Sequence, residues 1–127
     1  MPPAWAAEKP DATPLWPYPG SLDVLVAAPA FHRVLFANDW VRVLAVAVLL
    51  HAREPLHTHR WPSVIYRELS CPLCYFDASG KLLHESPKPY VQGPTKARVR
   101  WQEPEAPHTV ENMGEVADQS IRVEYKQ

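Results

Sequence analysis

From Phe31 onward the hydrophobic positions fall into short runs separated by turn residues. His32–Ala37 and Val41–Leu50 are rich in Val and Leu, with Asn38-Asp39 between them as a turn signal. Ser63–Leu69 is a third run. Tyr75–Asp77 and Lys81–His84 flank Ala78-Ser79-Gly80, a hairpin whose Gly can take φ > 0. Lys96–Gln102 alternates in character, and His108–Asn112 and Ser120–Lys126 close the chain on either side of Met113-Gly114-Glu115. Short strands at this spacing predict an all-β sandwich or barrel. Ahead of them, Ser21–Ala28 reads as one or two helical turns, with Ser21 as N-cap and Pro29 closing the segment. The first twenty residues contain six prolines together with Trp5, Trp16 and Tyr18, an extended arm suited to packing on a partner subunit. The expected organisation is an arm over residues 1–30 and one barrel over residues 31–127.

Composition narrows this picture. The 127 residues include 15 Pro and only 4 Gly. Interior Pro breaks helices, so a helix bundle is excluded, and scarce Gly argues against Gly-rich phosphate loops. With 46% hydrophobic and 21% charged residues, the chain is not disordered throughout. A net charge of −1 leaves no basic stripe, so no nucleic-acid partner is expected. No apolar run reaches a membrane span, and no cationic and apolar leader precedes Ala6-Ala7; a cytoplasmic protein is expected. Cys71 and Cys74 are then reduced thiols. Their C-x-x-C spacing lies between β runs rather than at a helix start, which favours two small buried residues over a redox pair.

The candidate chemistry lies in histidine. His57-Thr58-His59 places two imidazoles on one face of a strand, where both can reach one cation. Pro107-His108-Thr109-Val110-Glu111-Asn112-Met113-Gly114 opens a later strand. Together these stretches resemble the two motifs of the cupin superfamily, small jelly-roll β-barrels, over residues 31–126. His57, His59, His108 and Asn112 stand on the family's slots, while the ligand Glu slot falls on Ser63. The family's Gly slots fall on His51, Ser70, Ala97 and Glu105; Ser70 or Glu105 would carry strain if it kept φ > 0. The resemblance implies a metal held by His57, His59 and His108 without a carboxylate. Such a centre suits Zn, Fe, Mn or Ni, able to acidify water or polarise a carbonyl.

Strand parity places Ser63, Ile65 and Arg67 on the inner face and leaves Glu54 and Glu103, near loops, unconstrained. An inward Arg67 must meet a protein carboxylate or an anionic ligand. Ser63, Tyr66, Arg67, Trp101 and Asn112 are therefore the candidate small-molecule contacts, although by resemblance Asn112 binds a turn. His32 and His51 read as solvent-facing or loop residues, and Arg98, Arg100 and Arg122 as a solvated face. The expected function is a metal-binding barrel that holds or transforms a small molecule, as an oxygenase, isomerase or hydrolase. The alternatives are a metal-free binder or sensor and an interaction protein working through its arm. A homodimer is expected in each case.

Overall fold

The computed structural model describes residues 15–86 and 99–126. The expected features at 1–14 and at 96–98, Arg98 and Ala97 among them, lie outside the described residues. Nine strands follow in order: β1 (His32–Ala37), β2 (Val41–Val48), β3 (His57–His59), β4 (Ser63–Leu69), β5 (Leu73–Asp77), β6 (Leu82–Glu85), β7 (Val99–Gln102), β8 (Glu105–Asn112) and β9 (Asp118–Tyr125). They form two antiparallel sheets, one in the order β1-β2-β9-β4-β7 and one in the order β3-β8-β5-β6. The crossings that place β9 between β2 and β4, and β8 between β3 and β5, give the all-β jelly roll expected from the sequence. The hairpin at Asp77–Lys81 turns on Gly80 at φ 86, and the Asp77 carboxylate accepts from Ser79 N and Lys81 N.

The helical expectation is corrected at its start. A 3-10 turn spans Gly20–Leu22, and the helix α1 covers only Val24–Ala27. Asp23, not Ser21, is the N-cap, accepting from Leu25 N at 3.1 Å. This segment is fastened to the barrel at three points. Thr58 Oγ1 donates to Leu22 O (3.2 Å), His32 Nδ1 donates to Ala28 O (3.2 Å), and Arg42 donates from Nη1 and Nη2 to the two Asp23 oxygens (3.1 Å each).

Leu44, Val48, Ile65, Leu73 and Val110 contribute apolar side chains to the interior, and Cys71, Leu73 and Val110 cluster with Tyr75 and Val116 packed against them. Strand β9 inverts the usual pattern. Its buried positions are Asp118, Ser120, Arg122 and Glu124, while Ile121 and Val123 occupy the other face. A barrel wall with a continuous row of polar and charged groups is a poor core and needs compensating partners. Cys71 and Cys74 are both free and buried; burial, with Asp118 nearby, pushes the Cys71 thiol up to about 12, so it is not a nucleophile at neutral pH.

Candidate metal centre

Four imidazoles converge inside the barrel. His57 and His59 enter from β3, His108 from β8 and His32 from the start of β1, all buried. Ring centroids lie 4.4 Å apart for His57 and His108, 5.2 Å for His57 and His59, and 5.5 Å from His32 to each of His57 and His59. Backbone carbonyls fix three of the rings. His57 Nδ1 bonds Pro55 O at 2.8 Å, His108 Nδ1 bonds Ala106 O at 2.7 Å, and His32 Nδ1 bonds Ala28 O. A carbonyl only accepts, so each Nδ1 carries a proton, and in the neutral ring it is Nε2 that keeps the lone pair. Burial favours the neutral form of three of the rings, lowering His32 to about 3, His57 to about 4 and His59 well below its usual value. Neutral imidazole is the form that binds a metal.

Carboxylates also face the cluster, which corrects the expectation of a carboxylate-free site. Glu54 Oε2 lies 3.4 Å from His57 Nε2 and 3.7 Å from His32 Nε2; Glu105 Oε2 lies 3.1 Å from His108 Nε2. Glu54 comes from the loop before β3, its amide bonded to Val110 O at 2.8 Å. Glu105 arrives by a bulge. His57 pairs with His108 and His59 with Glu105, so β8 uses one residue more than β3 across this stretch. Strand parity alone would send residues 105 and 108 to opposite faces, and the extra residue brings both inward. Pro107, with no amide to donate, sits inside that irregularity.

The charges are arranged around these groups. Burial, with Glu105 nearby, pushes the Glu54 carboxyl up to about 8. Burial opposes ionisation of Glu105 too, but the Arg122 guanidinium beside it, at 2.6 Å, and His108 hold its carboxyl below the usual range. Glu124, fully buried, accepts from Arg42 Nε at 2.7 Å and stands 3.7 Å from His59 Nδ1.

Ligand atoms of His32, His57 and His59 lie within 4.8 Å of one another, as do those of His59, Glu105 and His108. The two groups share His59. His57 Nε2, an acceptor in its neutral ring, faces a Glu54 oxygen, also an acceptor, and His108 Nε2 faces a Glu105 oxygen. Glu54 Oε2 is buried with no hydrogen-bond partner among the described residues. Acceptors held this close need a cation or a proton between them, so the donor set fits a divalent metal. The cavity the cluster borders has a volume of about 50 Å³.

The predicted residues divide clearly. His57, His59 and His108 are brought together, and His32, expected at the surface, joins them. Arg67 reaches the cavity but is paired with Asp118, as one of its two expected fates required. Ser63 is buried behind the cavity wall rather than lining it. Tyr66 and Trp101 are corrected to the outer surface; Trp101 stacks on Tyr125 and donates to Glu103 at 2.8 Å. Asn112 is not a cavity residue either: its amide donates to Val48 O (2.9 Å) and Val116 O (2.8 Å) and accepts from Gly114 N (2.8 Å), binding a turn. Arg122 is buried against the cavity instead of forming a solvated face, whereas Arg100 borders the cavity and is exposed, as expected. His51 is exposed, as expected, and it rather than Ser70 or Glu105 holds the left-handed backbone, at φ 63.

No family model and no curated protein matches the sequence. Among solved structures the chain is similar to a cupin domain from Bordetella pertussis Tohama I, at 18% identity and a TM-score of 0.59 over 76% of this chain and 92% of that one. It is also similar to an RmlC-like cupin family protein with a double-stranded β-helix fold from Methanocaldococcus jannaschii, at 7% identity and a TM-score of 0.52 over 74% and 77% of the two chains. A protein from Bacillus halodurans shares 15% identity and a TM-score of 0.52 over 76% and 70%. At these identities the common property is the fold.

Proposed function

We propose that this chain, which carries the cupin fold, is a metal-binding barrel that holds or transforms a small molecule at its interior. The observation carrying the reading is the convergence of ligand atoms in a buried site: imidazoles anchored through Nδ1, with Nε2 turned toward carboxylate oxygens. His57, His59 and His108 would hold the ion, with Glu105 as the carboxylate and His32 as a further imidazole within reach. A bound divalent metal supplies Lewis acidity, lowering the pKa of water or polarising a carbonyl. The protein's part is to disfavour protonation of His32, His57 and His59 by burial and to orient the rings of His57, His108 and His32 through Pro55 O, Ala106 O and Ala28 O. Elemental analysis of protein purified without chelators is expected to give a stoichiometric divalent metal, lost in His57→Ala and His108→Ala. Metal-free wild-type protein whose melting temperature ignores EDTA would overturn the reading.

One observation favours a metal-free binder instead. The carboxyl of Glu54, raised to about 8, can carry a proton at neutral pH and donate it to His57 Nε2, which resolves that contact without an ion. Ligand-induced thermal stabilisation that persists in EDTA would select this alternative. A homodimer through the edge strand β1, whose Val34, Leu35 and Phe36 are exposed, completes the proposal; light scattering at the monomer mass would remove it.

A further inference from the structure

A second cavity, of about 240 Å³, lies outside the barrel, between the segment that precedes α1 and the turn from β3 into β4. Its walls are aromatic. In the extended stretch from Leu15 to Pro19, Leu15, Pro17 and Pro19 are exposed, while the alternate residues Trp16 and Tyr18 are half-buried and line the cavity. Their rings meet edge to face at 5.0 Å. Trp61, in the turn after β3, supplies a third ring. Buried Thr58 and Arg42 form the inner end. Three large rings thus border open space instead of filling a core, which is how small-molecule sites are walled.

Charge gives the second argument. Aromatic walls often receive a cation, but here the cations belong to the protein. The guanidiniums of Arg42 and Arg60 and the ammonium of Lys126 stand 4.9, 5.9 and 5.8 Å from the centre of the Trp61 ring. Arg42 is committed, bonded to Asp23 and Glu124. Arg60 is exposed on the cavity's wall and has no carboxylate partner among the described residues. A cationic guest would be repelled, whereas an anionic one gains a charge-assisted hydrogen bond from Arg60. One guanidinium selects the sign of the charge and not the geometry of the group that carries it, so carboxylate and phosphate are equally suited. Size sets the remainder. The volume lies just under the ~300–1,000 Å³ of sites for drug-sized ligands, which suits one ring system with a short substituent. The interior cavity, at about 50 Å³, does not admit a ring, so an aromatic guest distinguishes the two.

We propose that this outer cavity is a binding site for a small aromatic acid, its ring held among Trp16, Tyr18 and Trp61 and its anionic group by Arg60. The site is separate from the histidine cluster and does not rest on the metal reading, so the test is run on the full chain with EDTA present throughout. Phenylacetate, phenylacetamide, cyclohexylacetate and phenyl phosphate are titrated by calorimetry and by tryptophan fluorescence. Phenylacetate is expected to bind and to change the fluorescence; phenylacetamide, which lacks the charge, and cyclohexylacetate, which lacks the aromatic ring, are expected to be at least about tenfold weaker. Phenyl phosphate keeps the ring and changes the acid, and so distinguishes the two sources of charge. Arg60→Met, at an exposed position, is expected to weaken the acids about tenfold and leave phenylacetamide unchanged. Trp16→Leu, in the segment outside the barrel, is expected to weaken every aromatic probe several-fold, and it tests the ring walls independently of Arg60. Binding of either aromatic acid that depends on both Arg60 and Trp16 supports the proposal. No binding by either acid, acids no tighter than phenylacetamide, cyclohexylacetate equal to phenylacetate, or affinities unchanged in the two variants overturns it.

Discussion

Glu54→Gln in metal-free protein isolates the cost of a buried carboxylate. Glu54 is 4% exposed, and burial carries its carboxyl from 4.5 to about 8. The folded protein therefore holds a proton on Glu54 that the unfolded chain has already released. Stability from this group is complete below the unfolded value and is lost as pH rises toward the folded one. His32 and His57 act at the other end: their lowered values make stability fall as pH drops below 6.5, and they add nothing further above it. Between pH 6.5 and 8 the slope thus belongs to Glu54. At ~1.4 kcal/mol per pH unit that window removes about 2 kcal/mol from the wild type and about none from Glu54→Gln. Urea unfolding in EDTA, followed by tryptophan fluorescence at half-unit intervals of pH, measures both curves. A wild type flat from pH 6.5 to 8, or a Gln variant falling in parallel with it, would refute the reasoning.

Glu105→Gln removes the partner of buried Arg122, and unfolding free energy is expected to drop by about 3–5 kcal/mol with loss of tight metal binding, read by denaturation and by metal titration. Asn112→Ala deletes three hydrogen bonds that tie Val48, Gly114 and Val116; chemical denaturation should show a loss of about 2–4 kcal/mol while metal content is kept in the folded fraction. His51→Gly relieves a left-handed backbone at the turn where Ala52 N bonds Leu49 O, at the expense of an exposed contact with Glu115. The melting temperature is expected to rise, by an amount corresponding to about 0.5–1 kcal/mol.

Period-two runs and turn residues were enough to find the strands. His32–Ala37 and Ser63–Leu69 were read to their exact bounds, because Asn38-Asp39 and the neighbouring Pro residues punctuate them. The His-x-His pair was legible for the same reason, since alternation puts both rings on one side. What escaped is what breaks alternation or inverts it. In β9 the apolar residues occupy the outer face, so Arg122 looked solvated when it is interior. In β8 the bulge cancels parity and delivers Glu105; the signal available was Pro107 within a strand pattern, a residue that a regular ladder does not accommodate. His32 stands alone at a strand start with no motif around it, and only the approach of β1 to β3 makes it part of the cluster. Glu54 belongs to a loop, where no periodicity operates.

The fastening of the α1 segment has a thermodynamic consequence. Ala28 O orients His32, Leu22 O holds the strand between His57 and His59, and Asp23 shares Arg42 with the Glu124 that stands beside His59. Any occupant that narrows the positions of these histidines must, by reciprocity, favour the docked state of residues 20–28, and displacement of that segment must weaken the occupant by the same factor. Resistance of the segment to protease is therefore a readout of what the barrel contains, obtained from outside it and without knowing the reaction.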